Sequence, residues 1–312
     1  MKTISVTQYG TLNEAVEIRD AARPELGPQD VLIKVEAASI NPLDHLIRAG
    51  YLHEIMPMTF PYVMGSDAAG TVAEVGTEVT KFNTGDKIFV RPNYGQSGTF
   101  GEYLAVSADD VALKPQSLDF TTSAALPQVA LTALQALELA GVSDGSRVLI
   151  HGGGGGVGSL AIQLAKQLGA KEIATTVAAE DMERARQLGA DQVLDFRAQD
   201  FAAVLENYDA VIDTQGGDVQ RSSIGIVRKG GKVVTLNSVD HAEYAQEQGV
   251  ELEMLIHQAN GTQLKEIAEM VDLGQLQVHV DKVFPAAQAL EAISYSENGQ
   301  AKGKVVLDMN QF

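Results

Sequence analysis

The sequence predicts an α/β protein of two domains, one β-rich and one built on a doubly wound parallel sheet. Three observations carry that expectation. The chain of 312 residues is about twice a typical domain, so each half can bury its own core. Up to about residue 120 the apolar runs are short and bounded by Gly, Pro and Asp, as strands are. From about Thr122 onward, apolar strand candidates alternate with amphipathic helical stretches, the pattern of βαβ units.

Taken in order, VLIKVEAASI (31–40), GTVAEVG (70–76) and KIFV (87–90) read as strands of a barrel or sandwich. ALPQVALTALQALELAG is helical in composition and ends at Gly141, where a C-terminal cap is expected, so a domain boundary falls near residue 122. The runs RVLIH (147–151), EIATT (172–176), QVLDF (192–196), DAVIDT (209–214) and KVVTLN (232–237) are too apolar to face water on either side and predict parallel strands. Between the early ones, SLAIQLAKQLGA puts Leu160, Leu164 and Leu168 on one face and stops at Gly169. MERARQLGA repeats the plan with Met182, Ala185, Leu188 and Gly189. The last forty residues return to short strands ending in GKVVLDM and are expected to rejoin the first domain.

Composition closes several function classes. Twenty-three Lys and Arg against 41 Asp and Glu give a formal charge of -18, a field that repels phosphodiester backbones and anionic lipid. Neither nucleic acid nor a membrane surface is an expected partner. The absence of cysteine excludes disulfides, a thiolate nucleophile, iron–sulfur clusters and thiolate zinc sites. No run approaches the roughly 18 apolar residues of a membrane span, and MKTISVTQYG lacks the apolar core of a secretion signal, so the expected location is cytoplasmic.

Five consecutive glycines, Gly152 to Gly156, need a mechanical explanation. They contain G-x-G-x-x-G as Gly153, Gly155 and Gly158, after a buried strand and opening an amphipathic helix. Such glycines tighten the turn, let the backbone approach a pyrophosphate and let helix pack on strand, while the helix N-terminus offers amides to the anion. Gly155, Gly156 and Val157 are the expected amide donors. A plain flexible loop is the alternative, and the strand–loop–helix context favours dinucleotide binding over it. About 20 residues on, an NAD site places Asp or Glu to hold the ribose diol, whereas this chain has Thr175 and Thr176. Two hydroxyls without a repelling carboxylate favour NADP, although the basic clamp is thin, with Asp181 nearby and Arg184 a turn further.

The ordered set NPLDHLIRAGY (41–51), FPYVMGSDAAGTVAEVG (60–76), FNTGDKIF (82–89), TFGEYLAV (99–106), AALPQVALTALQAL (124–137), the glycine loop and the final GKVVL resembles the medium-chain dehydrogenase/reductase superfamily, in its zinc-independent quinone oxidoreductase branch. The resemblance covers essentially the whole chain. It implies a GroES-like β-rich catalytic domain from residues 1–122 and 275–312, a Rossmann NADP-binding domain over 123–274, NADPH as cofactor and a homodimer. Where zinc-dependent relatives carry a metal-binding Cys this chain has Asn41, and where they carry Gly-His-Glu it has Gly65, Ser66 and Asp67. No cysteine-rich lobe lies between Arg91 and Thr99. His45, His53, His151, His241, His257 and His279 show no metal-ligand spacing, so no metal site is expected and each reads as a surface or satisfied core residue.

Without a metal to polarise an alcohol, the implied reaction is hydride transfer from NADPH to a quinone or α,β-unsaturated carbonyl. By resemblance, Asn41 contacts the nicotinamide ribose region, Thr132 sits beside the nicotinamide, and Leu236 to Ser238 line its amide edge. Tyr51, after Gly50, either hydrogen-bonds the substrate oxygen or delivers a proton, or merely packs on the cleft wall. Asp44 reads as a solvated or helix-capping carboxylate. Asp109 with Asp110 reads as a solvated turn in preference to an acid/base pair, and Lys302 with Lys304 as a solvated pair, contact with cofactor phosphates being the alternative. An enoyl-thioester reductase and a non-catalytic NADPH sensor on the same fold are the alternatives.

Overall fold

A computed structural model of the chain describes residues 1–93 and 98–312, and residues 94–97 of the segment between Arg91 and Thr99 lie outside the described residues. Contacts divide the chain into two units. The first holds Met1–Gln128, Gln258–Gly274 and Val278–Phe312, and the second Val129–His257 and Gln275–Gln277.

The first unit is organised around one long strand. Its elements are β1 (Lys2–Val6), α1 (Leu12–Ala15), β2 (Val16–Asp20), β3 (Asp30–Ile40), α2 (Pro42–Ala49), β4 (Tyr62–Val63), β5 (Asp67–Val75), β6 (Lys87–Val90), β7 (Tyr103–Ser107), β8 (Val111–Leu113) and α3 (Phe120–Ala124). Strand β3 is apolar almost throughout because both its faces are covered: Val31, Ile33, Val35, Ala37 and Ala38 are all buried. It pairs with β5 along one edge, while β7 and then the C-terminal strand share the other. Two register shifts in the β3–β5 ladder bend it.

The second unit opens within α4 (Pro127–Leu139). It comprises β9 (Arg147–His151), α5 (Gly156–Gln167), β10 (Glu172–Val177), α6 (Met182–Leu188), β11 (Gln192–Asp195), β12 (Tyr208–Asp213), α7 (Gly217–Ile226), β13 (Val227–Thr235), α8 (Ala242–Gln248) and β14 (Glu251–Met254). The six strands are parallel and ordered β11-β10-β9-β12-β13-β14. The order reverses between β9 and β12, the switch point at which such sheets bind ligands beyond their carboxyl ends. Helix α5 packs on β9 and β10, and α7 on β12 and β13. Leu149, Ala174, Val211 and Val233 form the core beneath. Strand β14, the sequence Glu-Leu-Glu-Met, carries no apolar run and is absent from the sequence-based expectation, because an exposed edge strand needs none.

The chain then returns through α9 (Gly261–Asp272), β15 (Val280–Pro285), α10 (Ala289–Glu297) and β16 (Lys304–Asp308). Strand β16 pairs antiparallel with β3, Val305 opposite Ile40 and Leu307 opposite Ala38. Both ends of the chain thus share one core, with Ile4, Ile33 and Leu104 beside Phe284 and Leu307. Helix α9, which the sequence-based boundaries put with the nucleotide-binding domain, packs on β8 in the first unit. A β-carbon on Gly261 would lie 2.5 Å from the carbonyls of Asp109 and Val111, an approach only glycine permits. No helix among the described residues is long and apolar enough to cross a membrane.

Candidate active site

In the second unit β9 runs into the glycine loop and α5 leaves it. The Gly155 amide donates to the Gly152 carbonyl at 2.9 Å, and the amides of Gly152 and Gly153 donate to the Thr176 carbonyl. A β-carbon on Gly158 would meet the Gly152 oxygen at 2.2 Å, and one on Gly153 would meet Thr175 Oγ1 at 2.2 Å. These glycines are required by contact, which separates the loop from a merely flexible linker. The amides of Gly156, Val157 and Gly158 open α5 with no carbonyl a turn earlier, at the positive end of a twelve-residue helix. Gly155, expected as a donor, spends its amide closing the turn, so the amides left over for an anion are those of Gly156, Val157 and Gly158. Shape and donor set fit a dinucleotide pyrophosphate.

Behind the loop, His151 is buried between two hydroxyls: its Nδ1 is 2.9 Å from Thr176 Oγ1 and its Nε2 is 2.8 Å from Ser223 Oγ. Ser223 gives its own proton to the Val219 carbonyl, so Nε2 donates to Ser223 and Nδ1 accepts from Thr176. Burial pushes the imidazole down to about 4 and keeps it neutral. Thr175 donates to the Ile150 carbonyl at 2.6 Å. Both threonine hydroxyls expected to meet a 2′-phosphate are therefore committed inside the sheet, and that assignment is corrected. The charged groups at the rim are Asp181 and Arg184, paired at 3.3 Å, and Glu180 and Arg197, paired at 3.5 Å. Of the other expected cofactor residues, Thr132 is buried in α4. Leu236 and Ser238 follow β13, with the Ser238 carbonyl accepting from Gln220 Nε2 at 2.8 Å.

In the first unit the ladder register assembles a polar cluster. Asp67 opens β5 opposite Ser39 of β3, and Lys304 opens β16 beside Ile40, so three strands bring a carboxylate, an ammonium and Asn41 together. Asn41 Nδ2 donates to Asp67 Oδ2 at 2.9 Å and Ser66 Oγ at 3.2 Å, and its Oδ1 accepts from Lys304 Nζ. Lys304 also donates to the Ile40 carbonyl at 3.1 Å. Asp67 further accepts from Ser39 Oγ and the Gln128 amide. Asp44 accepts from the Asn41 amide at 2.8 Å and from Ser66 Oγ at 3.1 Å. Burial, with the Asp67 charge adding to it, pushes Asp44 up to about 7 against its hydrogen bonds and Lys304. Burial also raises Asp67 and lowers Lys304, and each charge works against the other's shift.

Three sequence-based expectations change here, at Lys304, Asp110 and His45. Lys304 is buried rather than solvated. Asp44 does cap α2, but from a buried position. Asp110 is buried and held by Asn93 at 3.0 Å, while its neighbour Asp109 is exposed. His45 departs from the surface-or-satisfied expectation, since both its ring nitrogens are buried without a hydrogen-bond partner. Tyr51 is 79% exposed after the left-handed Gly50, so packing within its own unit does not account for it.

Zinc does not fit this cluster. At Asn41, Ser66 and Asp67 the ligands are an amide, a hydroxyl and one carboxylate, and the cation they already hold is the Lys304 ammonium. Among the described residues no three His, Asp or Glu side chains gather for a metal.

A β-rich unit built from both chain ends and a six-stranded parallel unit with a glycine-rich turn between its first strand and helix have the architecture of a two-domain dehydrogenase. Residues 27–116 match the alcohol dehydrogenase GroES-like domain, and residues 188–307 match the zinc-binding dehydrogenase family. The chain is 34% identical to the 2-methylene-furan-3-one reductase of Solanum lycopersicum, over 98% of this chain and 79% of that one. It is 33% identical, over the same shares, to the chloroplastic NADPH-dependent alkenal/one oxidoreductase of Arabidopsis thaliana. The quinone oxidoreductase structure from Coxiella burnetii superposes with a TM-score of 0.91 at 34% identity, covering 99% of both chains. The chain belongs to the medium-chain dehydrogenase/reductase superfamily, in its quinone oxidoreductase branch. It is an oxidoreductase of the kind that works with a nicotinamide cofactor.

Proposed function

We propose that the protein is a zinc-independent, NADPH-dependent reductase that delivers hydride to a quinone or an α,β-unsaturated carbonyl. The observation that carries this reading is the Lys304 ammonium seated against Asn41 and Asp67, which leaves no donor set for a carbonyl-polarising metal. An acceptor already activated by conjugation needs no such metal. Relatives named for 2-methylene-furan-3-one and alkenal/one reduction support the same acceptor class.

When bound, NADPH would supply the hydride and become NADP+, and one proton would complete the reduced product. The chain's part is to bind, orient and supply that proton. Amides of Gly156, Val157 and Gly158 hold the pyrophosphate, Thr132, Leu236 and Ser238 bound the nicotinamide, and Asn41, stiffened by its four partners, keeps the first unit's cluster in one arrangement. Tyr51 is the assigned proton donor, its exposed phenol having the chemistry for the task. The preference for NADPH now rests on Arg184 and Arg197 rather than on Thr175 and Thr176. A homodimer in the cytoplasm, with no nucleic-acid or membrane partner, completes the proposal.

The test is a screen of NADPH and NADH consumption against quinones, enones and enoyl thioesters. Turnover of quinones or enones with NADPH is expected. Turnover confined to thioesters would favour the enoyl-thioester alternative, and tight NADPH binding without any turnover would favour the sensor.

A further inference from the structure

Between α2 and β4 the chain runs from Gly50 to Pro61 outside any helix or strand, and Tyr51, the assigned proton donor, stands at its start. The backbone before Tyr51 fixes its direction. Gly50 is left-handed at φ 84°, and the Tyr51 amide donates to the Leu46 carbonyl at 3.1 Å, closing the last turn of α2. The rest of the segment is held from the N-terminal end of the chain, by Tyr9. A β-carbon on Gly50 would lie 3.1 Å from Tyr9 Cγ, so the ring covers the face that glycine leaves bare. The Met58 amide donates to Tyr9 Oη at 3.0 Å, and Phe60 meets the same ring edge-on with centroids 4.8 Å apart. His53 lies between them in sequence, its ring 6.1 Å from that of Tyr9 and its Nδ1 donating to the Gly50 carbonyl at 2.8 Å. Gly10 ties this side chain to α2: its amide donates to the Arg48 carbonyl at 3.2 Å, and the buried Arg48 guanidinium donates back to the Gly10 carbonyl while pairing with Glu297 of α10. One aromatic residue on a buried anchor thus clasps both ends of the segment.

We propose that Tyr9 is a positioning residue for the reaction: by holding Gly50 at one end and Met58 at the other, it keeps residues 51–58 in one arrangement and the Tyr51 phenol in place to give its proton. The inference rests on Tyr51 being the proton donor. A side chain that is 79% exposed draws little orientation from its own packing, so its orientation is set by the backbone that carries it. Proton transfer needs the phenol within hydrogen-bond reach of its acceptor, and each alternative arrangement of the segment subtracts from the time spent there. The two parts of Tyr9 do separate work. Its ring restrains Gly50, next to Tyr51, and its oxygen closes the far end at Met58. Removing the oxygen alone leaves the ring packed and opens only the far end, and the loss of one such hydrogen bond multiplies the open population by about three- to tenfold.

The experiment compares intact wild type, Y9F, Y51F and Y9F/Y51F in steady-state reduction of a simple enone with NADPH, and wild type with Y9F in backbone hydrogen exchange. Y9F is expected to lower kcat by about three- to tenfold, with the enone KM and the NADPH Kd each within about twofold. Exchange of the amides of residues 51–58 is expected to quicken by a similar factor, with the rest of the chain unchanged. In the Y51F background, removing the Tyr9 oxygen is expected to change kcat by less than about twofold, because no phenol is left to position. Y9F keeps its ring against Gly50 and Phe60, so the fold is retained. An unchanged kcat or unchanged exchange in Y9F overturns the proposal, as does a Y9F loss of the same size in both backgrounds, which would make Tyr9 a purely structural residue. A Y51F protein that reduces the enone at the wild-type kcat would overturn the proton-donor reading itself, and the proposal with it.

Discussion

Lys304 Nζ lies 3.6 Å from Asp67 Oδ2, and the two side chains are 6% and 0% exposed. A buried pair is costly to assemble and costlier to halve, because removing one partner leaves an uncompensated charge. K304M is therefore expected to destabilise the protein by about 3–5 kcal/mol. The double variant K304M/D67N is expected to recover more than half of that loss, because the orphaned charge goes with its partner. Chemical denaturation of wild type, both single variants and the double checks this, and additive losses would contradict the coupling.

Asp44 makes stability depend on pH. Its carboxyl is held at about 7 in the fold against an ordinary value near 3.8, so the fold favours the protonated form. Its contribution is complete below pH ~4 and is lost as pH rises through about 7. His151, held at about 4 against 6.5, acts in the opposite sense: its contribution is present above 6.5 and lost as pH falls through about 4. D44N is expected to be relatively more stable than wild type at pH ~8 than at pH ~5, by a margin on the order of 2 kcal/mol. Melting curves at the two pH values check it, and an unchanged difference would refute the assignment.

Gly158 tests the cradle. G158A would drive a methyl to 2.2 Å from the Gly152 carbonyl, so the turn must open. Loss of coenzyme binding by about a hundredfold or more and destabilisation by about 1–3 kcal/mol are expected. Titration and thermal melting together check it. A G158A protein that binds NADPH normally would remove the loop from the site.

The fold was legible because its signals are local. Strand β9 and the stops of α5 and α6 follow from apolar periodicity and glycine placement, and G-x-G-x-x-G marks the turn between β9 and α5. The charged cluster was not legible for the opposite reason. Lys304 and Asp44 look like surface residues in sequence, and only the β16–β3–β5 register shows that each buries its charge against a distant partner. Thr175 and Thr176 misled because a β-strand hydroxyl is equally able to point at a ligand or at a neighbouring strand's carbonyl, and sequence does not distinguish the two. The placement of α9 follows from its packing on β8 and the turn before it, and the only mark of that in the sequence is Gly261, whose β-carbon position is taken by the Asp109 and Val111 carbonyls.

Tyr51 separates chemistry from binding. If its phenol supplies the proton, Y51F lowers kcat by on the order of a hundredfold and leaves the NADPH Kd within about twofold. A 79% exposed side chain contributes little to stability, so the variant folds normally. Steady-state kinetics with coenzyme titration checks this, and an unchanged kcat would assign the proton to water.

The central claim, hydride delivery to a conjugated carbon without zinc, is tested most directly by following a label. The protein is stripped with a chelator, its metal content measured, and NADPH deuterated at the transferable position is supplied with a simple enone. Deuterium is predicted at the carbon β to the carbonyl of a saturated ketone, at a rate that added zinc does not change. Deuterium on the carbonyl carbon of an alcohol, or transfer that appears only when zinc is restored, would contradict the account.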